Sequence, residues 1–120
     1  MVPLKGDFLC EVINEFFDTI CHGQTTHMGQ NTAFVDGTTG TATWFASNGD
    51  TITTLTTSFA LGGQISPGIF LFVQEIIFTG GTGRFSNAVG SATLTGTINF
   101  NIGEFEGFTN GTISQPNSRG

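Results

Sequence analysis

Alternation with a period of two residues constrains this chain more than any other feature of it. Between positions 88 and 102, Ala88, Gly90, Ala92, Leu94, Gly96, Ile98, Phe100 and Ile102 fall on one face. Val89, Ser91, Thr93, Thr95, Thr97, Asn99 and Asn101 fall on the other. Successive side chains of a strand point to opposite faces, so the segment reads as one long strand. One side of it is apolar and the other rich in threonine. Gly90, Ala92 and Gly96 lie on the apolar side, where small residues permit tight curvature or leave space in a lumen.

The same pattern recurs along the chain. Val2, Leu4, Phe8, Cys10 and Val12 alternate with Lys5, Asp7 and Glu11. Residues 16–28 are β-like but less regular. Residues 31–35 run into Asp36-Gly37, a turn dipeptide. In residues 38–46, Ala42, Trp44 and Ala46 share a face, and Asn48-Gly49-Asp50 is the clearest tight turn. Residues 51–60 read as a strand, and residues 61–68, with Gly62-Gly63 and Pro67-Gly68, as a loop. Residues 69–79 are apolar on both faces: Phe70, Phe72, Ile76 and Phe78 against Ile69, Leu71, Val73 and Ile77. Such a strand needs cover on both sides, and another copy of the chain is the simplest outer cover. Gly80-Gly81-Thr82-Gly83 breaks it, residues 84–87 lead into the long strand, and residues 105–114 form the last one. From about residue 115 the polar tail reads as a frayed end.

These segments make about eight strands and no helix in one domain, residues 1–120. Short connections imply antiparallel neighbours. Closure removes the exposed edges that an open sheet must manage. The expected fold is therefore all-β, a closed antiparallel barrel of about eight strands.

Composition excludes several functions. Charged residues are 10% of the chain, against about 25% in an average soluble domain, and 18 Gly and 20 Thr fill the gap. Thirteen Phe rule out disorder. A net charge of −6 with three cations leaves no basic patch for nucleic acid. No apolar run reaches the ~18 residues of a membrane-spanning helix. No leader with a basic start and apolar core is visible at residues 1–6, which fits an intracellular chain or a mature secreted one. Low charge and abundant Thr, Gly and Asn lean towards a secreted or periplasmic setting. Cys10 and Cys21 fall opposite each other if the chain turns around residues 14–17. A disulfide is then geometrically possible; the alternative is two buried free thiols. Cys21 and His22 are neighbours and point to opposite faces, so no metal site is expected. No cofactor motif is present.

The segment Phe78-Thr79-Gly80-Gly81-Thr82-Gly83-Arg84-Phe85-Ser86-Asn87-Ala88-Val89-Gly90-Ser91-Ala92 resembles part of small bacterial β-barrel proteins related to the allene oxide cyclase and dirigent barrels. Thr25-Thr26-His27-Met28-Gly29, Ala46-Ser47-Asn48-Gly49-Asp50, Pro3-Leu4-Lys5-Gly6 and Gly111-Thr112-Ile113 extend the likeness over most of the chain. The resemblance implies an eight-stranded antiparallel barrel, allene-oxide-cyclase-like or lipocalin-like, often assembled from several copies. Plant members of that group guide cyclisation or coupling of a reactive apolar intermediate. The shared motifs are chiefly turns, and no catalytic residue is carried over from them.

Candidate site residues follow from chemistry. Glu75 interrupts an apolar strand on the face of Ile69, Leu71, Val73 and Ile77; it is a ligand anchor or acid–base group, or else a structural ion pair with Arg84 or an interface contact. His27 is a lumen acid–base group or a hydrogen-bonded residue of the barrel mouth. Arg84, one of three cations, calls for a carboxylate partner. Trp44 and Phe72 are candidates for the wall of an apolar pocket. An eight-stranded barrel is just wide enough to fill with side chains or to hold one small ligand. Three readings follow: a binder of an apolar small molecule in the lumen, a cyclase- or isomerase-type enzyme, and a structural module with a filled core.

Overall fold

The computed structural model describes residues 1–117. Eight strands follow in chain order: β1 (Val2–Val12), β2 (Thr19–Thr25), β3 (Gly29–Val35), β4 (Thr41–Ala46), β5 (Thr51–Ser66), β6 (Ile69–Gly81), β7 (Gly90–Asn99) and β8 (Glu104–Ile113). Each pairs antiparallel with its sequence neighbour, and β8 returns to pair with β1. The sheet is a closed barrel, as the alternation predicts. A 3-10 turn, Gly83–Phe85, interrupts the connection from β6 to β7.

Alternation decides what faces inward. Leu4 and Cys10 of β1, Ala33 of β3, Trp44 of β4, Ile52 of β5, Phe72, Ile76 and Phe78 of β6, Leu94 and Ile98 of β7 and Ile113 of β8 are all buried. The two ends of the barrel differ. At the end holding the β2–β3 turn and the β6–β7 connection, Met28, Phe85 and Ala88 fold over the lumen and are each 2% exposed. At the other end the β1–β2, β3–β4 and β7–β8 turns leave the lumen open.

Glycine lets the wall bend. Gly96 of β7 and Gly107 of β8 are register partners, and a Cβ on Gly107 would run into the Thr95 carbonyl oxygen. Phe8 of β1 and Phe72 of β6 flank this pair, and their rings lie 6.3 Å apart. Two aromatic rings thus meet where the glycines place no side chain.

Several local expectations change. The long strand ends at Asn99, leaving Phe100 and Ile102 exposed in the turn. Residues 84–87 do not begin a strand; Asp50 accepts the Arg84 backbone N–H at 3.3 Å and helps hold the 3-10 turn. The loop expected at residues 61–68 shrinks to Pro67-Gly68. Gly62-Gly63 is absorbed as a register shift inside β5, and Gly68, at φ 77°, closes a two-residue turn. β4 pairs with β5 only as far as Leu55, so residues 57–66 pair with β6 alone. The molecule accordingly measures 47 Å along its long axis and 24 and 22 Å across.

Cys10 and Cys21 are direct register partners on β1 and β2, with Cα atoms 4.1 Å apart, and are joined as a disulfide. Ser114 and Asn117 donate backbone N–H groups to the carbonyls of Val89 and Arg84, each at 2.8 Å. The rest of the tail expected to fray, residues 118–120, lies outside the described residues.

Candidate functional site

The open end leads into a chamber of about 390 Å³. Val12, Phe17, Val35, Phe59, Ile98 and Phe105 give it apolar walls. Beneath it lies a smaller space of about 60 Å³, walled by Phe8, Ala33, Trp44, Ile76, Leu94 and the Cys10–Cys21 disulfide. Val35, Thr56, Gln74 and Phe105 line both spaces and form the throat between them.

The walls derive from strand periodicity and four aromatic contacts. Phe72 is the hub: Phe59 stacks on it at 5.6 Å, and Phe105 meets it edge-on at 5.7 Å. Phe8 completes the cluster at 6.3 Å from both Phe72 and Phe105. Such offset and edge-to-face pairs fix ring positions beyond what area burial alone would do.

Polar groups are few: Asp7, Asn31, Thr54, Thr56 and Gln74 line the inner space, and Thr19 and Asp36 join Thr56 and Gln74 at the outer one. The Trp44 Nε1–H donates to Thr54 Oγ1 at 3.2 Å. The Gln74 Nε2–H donates to Thr56 Oγ1 at 2.8 Å in the throat. An amide and two hydroxyls can orient one polar end of an otherwise apolar molecule. They supply no acid–base pair. No histidine lines either space.

The rim is braced by carboxylates. Asp18 accepts the Asn14 side-chain amide at 2.9 Å and the Gly37 backbone N–H at 2.9 Å, tying the β1–β2 turn to the β3–β4 turn. These hydrogen bonds, the Asn14 one foremost, hold the Asp18 carboxyl below its usual 3.8. Asp36 accepts the backbone N–H groups of Thr38 and Thr39. Phe17, at φ 62°, occupies the left-handed region that bulky residues avoid, and its ring lines the chamber.

The candidate residues separate. Trp44 lies in the wall of the inner space. Phe72 is 1% exposed and backs the Phe59 and Phe105 rings of the outer chamber. Glu75 is on the outer wall of the barrel, where Ser58 Oγ donates to its Oε2 at 3.1 Å. His27, at φ 69°, is exposed in the β2–β3 turn at the closed end. The Arg84 guanidinium lies 5.9 Å from the Phe85 ring centroid at that same end. Glu75, His27 and Arg84 line neither space.

The sequence reading missed Thr56, Gln74, Phe59, Val35 and Phe105. Gln74 carried a usable signal: it interrupts the inward series Phe70, Phe72, Ile76, Phe78, as Glu75 interrupts the outward one. Phe59 carried none, because the register shift between Thr56 and Ser58 changes which face it occupies. Among the described residues, no cluster of three or more His, Cys, Asp or Glu could hold a metal ion. No family model matches this chain, and neither a curated protein nor a solved structure matches it.

Proposed function

We propose that this barrel binds an apolar small molecule of modest size, its body in the open chamber and one polar end at Gln74 and Thr56. The observation that carries this reading is the chamber itself. Its volume of about 390 Å³ falls within the range of roughly 300–1,000 Å³ common among ligand sites. The resemblance to the allene oxide cyclase and dirigent barrels supports the same reading, since those barrels handle apolar molecules. Assembly from several copies belongs to this proposal: Leu71, Val73 and Ile77 lie exposed on the outer face of β6. So does an oxidising compartment, secreted or periplasmic, where a disulfide persists.

The test uses N-phenyl-1-naphthylamine, a neutral apolar probe that absorbs where indole emits. Trp44 is the single tryptophan, so energy transfer from it reports a probe inside the barrel. Binding at micromolar concentration is expected. Val35→Phe, which narrows the throat, is expected to weaken binding roughly tenfold, equivalent to about 1.4 kcal/mol. Absence of transfer in the wild-type protein, or binding unchanged by Val35→Phe, removes the chamber as the site.

A further inference from the structure

We propose that a second copy of this chain docks on the free edge of β5, strand against strand, antiparallel about a two-fold axis. The inference rests on the multi-copy reading above and moves the meeting place of the copies from the outer face of β6 to the neighbouring edge of β5.

The longest strand edge without a partner in this closed barrel lies on β5. Residues 57–66 of β5 pair with β6 on one side and, among the described residues, with no strand on the other. Ten residues of extended backbone span about 33 Å, and an unpaired edge of that length is a template for another strand. Proteins usually blunt such an edge with lysine, proline, an inward charge or a β-bulge. Here only register shifts against β6 occur, at Thr56/Ser58, Leu61/Gln64 and Gln64/Ser66; residues 57–66 contain no charged residue and no proline. Phe59, Leu61 and Ile65 on it are 49%, 47% and 56% exposed. An edge left this bare calls for cover.

Charge selects the occupant. Each chain carries −6, so most faces of two copies repel. Residues 51–74 form a run of twenty-four without Asp, Glu, Lys, Arg or His. This uncharged run contains the whole free edge. Two copies therefore approach there at low electrostatic cost, with the Glu75 carboxylate, held on the outer wall by Ser58, as the charge beside the edge. The edge is also self-complementary in shape. A two-fold axis between Gly62 and Gly63 brings residues without side chains together at the centre. It sets Leu61 opposite the partner subunit's Gln64 and Ala60 opposite the partner subunit's Ile65. The contact is isologous and closes at two copies.

Sedimentation velocity and hydrogen exchange on the full chain test this. The wild-type protein is expected to be a dimer at micromolar concentration, with slow amide exchange over residues 57–66. The double variant Leu61→Lys/Ile65→Lys is expected to raise the dissociation constant at least a hundredfold and to release those amides. If that pair fails to fold, Gln64→Lys, at an exposed polar position, gives the same readouts. Ile77→Lys, on the outer face of β6 beside Leu55, is expected to leave the dimer intact. A monomeric wild type overturns both this inference and the multi-copy reading, and leaves the edge to a different partner. A multimer that Ile77→Lys dissociates but the edge lysines do not overturns the edge alone. A trimer also overturns it, since a two-fold edge contact cannot close at three.

Discussion

Thr109 of β8 is 1% exposed, and its hydroxyl is a buried side-chain oxygen without a hydrogen-bond partner among the described residues. Its neighbours in register are Gly6 and Leu94, which offer no side-chain acceptor. An unpaired buried polar group costs about 1–3 kcal/mol. Thr109→Val keeps the shape and removes the hydroxyl, so it is expected to stabilise the fold by about 1 kcal/mol in urea unfolding. A loss of stability would mean that the hydroxyl has a partner. Asp18 makes a different prediction. Its folded pKa lies below the usual 3.8, so the carboxylate is the form that folding favours. Its contribution is full at neutral pH and fades as pH falls through the lowered folded value. The Gly37 amide, which donates to Asp18, is expected to shift in an NMR titration with a midpoint below 3.8. A midpoint at or above that value contradicts the bracing of the rim. Neither role was visible in the sequence. Thr109 was one more residue in an alternating strand, and Asp18 finds Gly37 only when two turns meet.

The β1–β2 hairpin is the element most directly legible in advance. Alternation placed Cys10 on the inward face, and the turn at residues 14–17 set Cys21 opposite. Only the paired register chose the disulfide over two free thiols. Its eleven-residue separation corresponds to about 3 kcal/mol of restricted unfolded-chain entropy. Cys10→Ala/Cys21→Ala is expected to lose roughly that amount in denaturant unfolding, and an unchanged midpoint would show that the cross-link adds nothing. β6 was equally legible, because its two apolar faces are written in consecutive residues. β5 was not. Gly62-Gly63 and Pro67-Gly68 carry the composition of a loop, yet pairing with β6 holds the backbone extended through Ser66. Long-range pairing overrode local turn preference there.

At the scale of the molecule, the two barrel ends carry different charges and different closures. Glu11, Glu15, Asp18, Asp36 and Glu104 lie towards the open end, whereas Lys5 and Arg84, with Asp50, lie towards the closed one. The mouth of the chamber is therefore negative. Addition of a sulfonate to N-phenyl-1-naphthylamine gives an anionic analogue of nearly the same shape. It is expected to bind roughly tenfold more weakly than the neutral probe at low salt, with the gap narrowing as salt screens the rim. Equal affinities at low salt would place the probe away from this mouth. The closure of the other end by Met28 and Phe85 was not foreseeable, since one sits in the β2–β3 turn and the other in the 3-10 turn.

What the sequence by itself determined is the barrel: strand number, antiparallel order and the inward set follow from alternation, which is a local property of the chain. Trp44 was on a legible apolar face for the same reason, whereas β6 is apolar on both faces and alternation left open whether Phe72 or Glu75 faces in. The tertiary structure alone decided that Glu75 faces out, that His27 and Arg84 sit at the closed end, and that Gln74 and Thr56 meet in the throat. Each of these depends on register between strands, and register is set by pairing across the sheet. It also decided that β5 outruns β4 and leaves an edge bare, because pairing with β6 alone carries β5 on to Ser66.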